Sequence, residues 1–477
     1  MTAPYFNLRS EHGLDYDAII IGAGMSGLAA GIRLAYYGRK VCLIEKHFVT
    51  GGLNSYYRRG GYNLDVGLHA VTNYCPPQNK TLTPFLKILR QLRLKHEDFA
   101  LRPQKVSKIS FKSASLNFNN DFNYFKSQLH EVFPSQTANI EKLLERINSY
   151  NELDLNAAPL SARLVISSII TDPLLIEMLL CPLSYYGSAR ENDMEFGQFV
   201  IMFKSIFYEG FSRPYEGVRK IIGLLENKFK ECGGELRLKT EVKSINIVNG
   251  SARCVTIASG EEISAPKILS TAGLVETLRL TSDYRENGCA AAPGKLSFIE
   301  AIFILKDDIV SRAGYDNTII FYNDSDKFSY QRPCAITDYT SGVICCPNNF
   351  LYEKPLDDIM LRVTNMANSD IWHSLDAAEY KRQKNEVLSN TINIIKKFVP
   401  GFNSECIKFH DIFTPETVKR FTGHINGAVY GTPDKSKNGA THIRNLFIAG
   451  TDQGFLGIIG AILSGISIAN LHFLMKE

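Results

Sequence analysis

Residues 17–45, DAIIIGAGMSGLAAGIRLAYYGRKVCLIE, leave this chain few folding options. Ala18 to Ile21 form a continuous apolar run, the pattern of a parallel strand covered on both faces. Gly22, Gly24 and Gly27 complete G-x-G-x-x-G. The first permits a tight turn, the second lets backbone approach a pyrophosphate, and the third lets helix and strand pack closely. The helix that follows, opening with Met25 and Ser26, aims free N–H groups and its positive end at a diphosphate. Val41 to Ile44 supply a second strand, and Glu45 at its end suits the hydroxyls of an adenosine ribose, with Lys46 beside it. Strand, turn, helix, strand and acid together predict a dinucleotide-binding βαβ unit, so the chain reads as an oxidoreductase-type protein.

Gly51-Gly52 then lets the chain pass close to a long cofactor, with Leu53 and Asn54 following. A hairpin pattern turns at Gly60-Gly61 and leads into Asp65, Gly67, Leu68 and His69. Near the far end, NLFIAGTDQGFLGIIGAILSGISIAN reads as a short strand, a polar turn and a small-residue helix. Gly457, Gly460 and Gly465 each weaken intrinsic helicity by about 1 kcal/mol, which calls for a close approach to something.

With those residues in view, the sequence resembles the phytoene desaturase and carotenoid isomerase branch of the FAD-dependent amine oxidase-like superfamily. The residues that carry the resemblance are Gly22, Gly24, Gly27, Glu45, Gly51, Gly52, Tyr62, Asp65 and Gly67, together with Gly450, Thr451 and Asp452. The segment 414–431, TPETVKRFTGHINGAVYG, resembles the stretch that leads into the flavin site. The resemblance implies FAD rather than NAD. It also implies that Val242 offers backbone to adenine, that Asp452 or a neighbour bonds the ribityl or diphosphate region, and that Gly457, Ile458 and Ile459 approach the flavin. Leu53 stands where bacterial phytoene desaturases usually carry arginine, and DVGLHAV looks more like the retinol saturase type. His69 is therefore a candidate proton donor or shuttle. A histidine beside a glycine turn serves equally often to hold backbone.

The resemblance implies an α/β protein with a Rossmann-like FAD-binding domain assembled from residues 1–75, 213–285 and 410–477. Residues 76–212 and 286–409 form an α+β substrate domain with a mixed or antiparallel sheet and a helical lid. In that second set, 297–306, 317–324 and 341–347 read as strands roofing a substrate tunnel. Residues 158–187 and 198–208 are the most apolar parts, yet Arg163, Asp172, Pro173 and Glu177 interrupt the first. That interruption argues against a membrane span there. Core helices and an amphipathic cover facing a membrane both remain open. Tyr185, Tyr186 and Arg190 either line a pocket or end a buried helix, the second being the commoner use. Lys204 reads as a snorkelling lysine, and His424 lies either near the ring or at the surface.

A net charge of +4 is too small to imply nucleic acid. Ten cysteines without C-x-x-C pairs or spaced histidines indicate neither a metal site nor a disulfide scaffold. Met1 to Asp15 is a polar lead-in without a secretory pattern, which points to a reduced, cytoplasmic setting; the resemblance, with its lipid substrates, leaves peripheral contact at the inner face of a membrane open. The substrate class implied is a long hydrophobic polyene, isoprenoid or lipid, desaturated, saturated or isomerised by hydride exchange at flavin N5. Electrons would pass to a quinone, oxygen or another protein, or not leave at all. The alternatives are a flavin amine oxidase of small amines and a non-catalytic, FAD-bearing lipid-presenting chaperone.

Overall fold

The structure, a computed structural model, describes residues 14–76, 83–152, 154, 158–284, 291–306 and 315–475. The two apolar runs flanking the glycine turn, Ala18–Ile21 and Val41–Ile44, are buried throughout and pair in parallel. They sit inside a five-stranded parallel sheet in the order 446–448, 268–270, 18–21, 41–44, 235–237. This is a Rossmann-like layer, gathered from three distant stretches of chain. The helix Met25–Tyr36 follows the turn and is buried on nearly every face. A sheet covers one side, while the helices Val218–Glu231 and Gly457–Ala469 cover others.

Gly465 explains the closest of these contacts. A Cβ there would stand 2.0 Å from the Ser26 carbonyl oxygen and 3.0 Å from the Ala30 amide. The glycine expected to mark a close approach thus meets another helix, in the turn that carries the glycine motif. The run Gly457–Leu474 is long and apolar enough to cross a membrane by length and composition. Its residues Ile462, Ile466, Ile468 and Ala469 are nevertheless packed in the core around the glycine-turn helix.

The second layer is a seven-stranded mixed sheet, ordered 407–413, 297–305, 359–367, 337–345, 317–323, 106–111, 115–118. All its pairings are antiparallel except that of Asn317–Asn323 with Val106–Phe111. The three strands expected from sequence lie inside it, joined by four that the sequence did not announce. Strand Ile407–Phe413 belongs here, so the expected division between 409 and 410 falls inside a strand. One face packs on helix Ala377–Phe398. The other packs on a helical layer that includes Pro173–Gly187 and Phe196–Phe203, whose phenylalanines stack into one large apolar core. The stretches 158–187 and 198–208 are thus mostly interior packing. Between the two layers lies the hairpin of Tyr56–Arg59 and Tyr62–Asp65.

Gly465→Val should push the last helix off the glycine-turn helix at about 1–3 kcal/mol. A lower thermal midpoint is the expected reading, and an unshifted melt would show that the contact is slack.

Candidate functional site

The glycine turn opens a cleft of about 410 Å³ at the carboxyl ends of the parallel strands, the usual ligand position in such sheets. Gly22 holds φ at +97°, and a side chain there would collide with Thr271 Oγ1 at 2.5 Å. A Cβ on Gly24 would meet nothing within 4 Å, because it would project into the cleft. Met25, Ser26, Glu45, Lys46, Gly51, Gly52, Leu53, Asn54, Val242, Gly450 and Thr451 also line it. The Glu45 carboxylate accepts from Ala23 N and His47 N, each at 2.8 Å. Each oxygen keeps a lone pair for a further donor. His424 reaches the same cleft, with its Nδ1 3.7 Å from Glu276 Oε1. Glycine cradle, helix start and anchored carboxylate together fit an extended dinucleotide.

Leu53, Asn54, Thr451 and Ala461 also line a second space of about 180 Å³, so cleft and chamber share a wall. The chamber is bounded by Tyr185, Tyr186, Phe298, Phe413 and Tyr430, and Gly67, His69, Gly457 and Ile458 line it as well. The Tyr185 hydroxyl donates to Ser341 Oγ at 3.1 Å, whereas the Tyr186 hydroxyl is buried without a partner. Leu53, Val66, Phe413 and Val418 continue the chamber wall into an outer groove of about 630 Å³. Phe48 and Phe421, 62% and 45% exposed, stand at the groove's lip.

Several residues expected at the cofactor turn elsewhere. Asp65 is buried and accepts from the Arg213 guanidinium and from Val218 N at 3.3 Å, at the start of the next helix. Asp452 accepts from Leu274 N at 2.6 Å and Thr432 N at 2.8 Å. Its neighbour Thr451, not Asp452, reaches the cleft. Leu68 and Ile459 are core residues, and Gly27 serves packing, since a Cβ there would lie 2.0 Å from the Gly22 carbonyl oxygen. Both aspartates sit where backbone amides need acceptors, and a buried amide without one is expensive.

Two strands of the mixed sheet supply what the sequence did not reveal. Arg362, fully buried, donates to Glu300, to Leu68 O at 2.6 Å and to Val66 O at 2.6 Å. Arg213 donates to Leu68 O at 2.7 Å and His69 O at 3.3 Å. The loop that carries His69 is thus held by two buried guanidiniums. His69 Nε2 lies 3.1 Å from Thr364 Oγ1 and 3.4 Å from Glu300 Oε2. Thr364 donates to Glu300 at 3.0 Å, which leaves its oxygen to accept from an Nε2–H. Burial holds the His69 imidazole below its ordinary value, against the pull of Glu300. Burial alone would raise the Glu300 carboxyl, but Arg362 and His69 outweigh it and leave it below the usual range. The site therefore pairs a charged carboxylate with a neutral, oriented imidazole.

The chain is similar to known proteins at both levels. The model of the NAD(P)-binding Rossmann-like domain matches residues 20–89. The chloroplastic prolycopene isomerase of Daucus carota is 25% identical over 96% of this chain and 80% of its own. The all-trans-retinol 13,14-reductase of Danio rerio is 20% identical over 96% of this chain and 86% of its own. An oxidoreductase from Methanosarcina mazei shares the fold with a TM-score of 0.66 at 16% identity, over 94% of this chain and 99% of that one. The chain is thus similar over nearly its whole length to a prolycopene isomerase and a retinol reductase, and it shares the fold of the Methanosarcina mazei oxidoreductase.

Arg362→Met should destabilise the protein by about 3–5 kcal/mol, because it strands the Glu300 carboxylate. Urea unfolding of Arg362→Met against the double variant with Glu300→Met should show most of that loss recovered in the double variant.

Proposed function

We propose that this relative of the carotenoid isomerases and desaturases is an FAD-dependent oxidoreductase acting on a long apolar polyene or isoprenoid chain. The observation that carries the reading is the shared wall of Leu53, Asn54, Thr451 and Ala461, with a dinucleotide cleft on one side and an aromatic chamber on the other. FAD is favoured over a nicotinamide dinucleotide because the space past the diphosphate turn runs beyond Gly51-Gly52 to the chamber. Ser26 and the glycine turn would hold its diphosphate, Glu45 its ribose and Val242 its adenine. When bound, a flavin supplies hydride exchange at N5.

This chain's own residues do the rest. The outer groove, with Phe48, Phe413 and Phe421, admits an apolar chain, and the aromatic walls exclude water. The exposed rings lie beside Lys46 and Arg420, a combination suited to peripheral contact with an anionic bilayer surface. His69 faces the chamber in its neutral form, with Nε2 turned to Thr364 and Glu300. It holds or delivers a proton as charge develops on the conjugated chain during saturation or isomerisation. Net oxidation needs an outside acceptor such as a quinone, oxygen or a protein; isomerisation does not. A small amine finds little here. Among the described residues the chamber is lined by no lysine, and its one carboxylate, Glu300, is already matched by Arg362.

Glu45→Ala should weaken flavin retention by about 2–4 kcal/mol, read as faster flavin loss on dialysis. Unchanged retention would displace Glu45 from the ribose. Incubating the flavin-loaded protein anaerobically, with dithionite, with a cis-polyene should give an isomerised or saturated product by chromatography. His69→Ala should keep the flavin and slow that conversion about 10²-fold or more. Because the imidazole is held below its ordinary 6.5, conversion that uses it as an acid should quicken as pH falls, and the variant should lose that dependence. Amine-dependent peroxide with no polyene turnover would overturn the reading.

A further inference from the structure

Beyond the chamber lies a cavity of about 680 Å³ that no step above uses. Three chain segments run straight into it from the chamber wall. Tyr185 and Tyr186 line the chamber, and Gly187 to Arg190 line the cavity. Tyr430 lines the chamber, and the cavity begins at Pro433; Gly457 and Ile458 line the chamber, and Gln453 to Leu456 line the cavity. Gly187 packs closely against two other lining residues of the cavity, since a Cβ there would lie 3.2 Å from Gln198 Nε2 and 3.4 Å from Leu456 Cβ. The cavity therefore sits where the far end of a chain threaded through the chamber would arrive.

Its polar groups are unevenly satisfied. Most charges have partners: Lys204 holds Glu152 at 2.9 Å, and Lys435 donates to Tyr430 O at 2.6 Å with Asp452 at 3.7 Å. Lys437 stands 3.9 Å from Glu195 Oε1. Burial, and Arg190 less strongly, lower the Lys435 ammonium to about 8 against the pull of Asp452. Three hydrogen-bonding atoms are buried without a hydrogen-bond partner, namely Gln453 Oε1, Gln198 Nε2 and Glu195 Oε1. Gln453 is 3% exposed, and its amide nitrogen donates to Lys437 O at 2.6 Å, which fixes the oxygen as the free acceptor. Gln453 Oε1 and Gln198 Nε2, buried and unmet, are costly to maintain without a ligand, and Glu195 Oε1 has only the Lys437 ammonium at 3.9 Å. A hydroxyl gives one donor and accepts in return, so it meets Gln198 Nε2 and one of the two acceptors, of which Gln453 Oε1 is the one with no charge beside it. A hydrocarbon end would meet none of the three. A carboxylate would meet Gln198 and Arg190 but would face Glu195 and Gln453 as like acceptors.

We propose that this cavity binds the hydroxyl-bearing end of the apolar ligand whose chain occupies the chamber. The proposal rests on the apolar-chain reading of the chamber and adds which terminus is recognised, and where. The test is binding to the flavin-loaded protein, followed by fluorescence, of three conjugated C18 tetraenes that differ only at one end: the alcohol, its methyl ether and the acid. The alcohol should bind about tenfold tighter than the ether, as one or two net hydrogen bonds allow. Gln198→Leu and, separately, Gln453→Leu should bring the alcohol to within about twofold of the ether while leaving the ether's affinity in place. Gln198 is the safer variant, because its side-chain amide nitrogen has no partner to lose. Equal binding of alcohol and ether to the wild type, or tighter binding of the acid, would overturn the end-group proposal and leave the chamber reading standing. Failure of all three tetraenes to bind would overturn both.

Discussion

Two guanidiniums, Arg213 and Arg362, converge on the carbonyls of one short loop, and the site depends on that convergence. Val66, Leu68 and His69 present backbone oxygens inward, and the arginines meet all three. Each arginine has its own carboxylate, Asp65 for one and Glu300 for the other. Burying two such pairs buys little stability against well-packed apolar residues. What it does provide is direction. The loop belongs to the hairpin side of the nucleotide cleft, whereas Arg362 belongs to the middle of the mixed sheet. The contact fixes one layer against the other, and His69 lies at the joint.

That arrangement gives the chamber its chemistry. A protonated imidazole is strongly solvated, and the enclosed aromatic walls offer little to replace water. The neutral form is favoured for that reason, even with a carboxylate 3.4 Å away. Thr364 bridges the two and sets which ring nitrogen carries hydrogen. Glu300 lines the chamber, but its carboxylate is taken up by Arg362 and Thr364, so in the proposed reading Glu300 and Arg362 position His69. A conjugated hydrocarbon gives a protein few handles. A chamber that controls one proton and otherwise supplies apolar wall suits such a substrate better than an array of strong acids and bases would.

The nucleotide half was legible in sequence because its signals are local. Strand, turn, helix and acid follow one another within thirty residues, and each is read from its neighbours. Asp65 and Asp452 show where that reading stops. Both stand in motif positions, yet the fold uses Asp65 to receive Arg213 and Val218, and Asp452 to receive Leu274 and Thr432. A motif identifies the segment and not the direction of a side chain. Glu300 and Arg362 left no signal because their strands lie sixty residues apart and are covered on both faces, so no alternation marks an inward charge. The available hints were a glutamate within the apolar run SFIEAIFIL and an arginine within IMLRV. Such a residue reads as an exposed position until its partner strand is known.

The sequence of spaces, from groove to chamber to cavity, bears on how one bond among many could be selected. A conjugated chain offers nearly equivalent double bonds, and an apolar tunnel alone distinguishes them weakly, since a methylene of slippage is worth only about 1–3 kcal/mol. Fixing one end changes the problem. If a terminal group is held in the cavity by Gln198 and Gln453, the bond opposite His69 is set by its distance along the chain from that end. The groove at the other side then imposes no length limit, because it opens outward past Phe48 and Phe421. Selectivity would reside in the polar pocket and tolerance in the apolar lip, with the chemistry held between them by the two arginines.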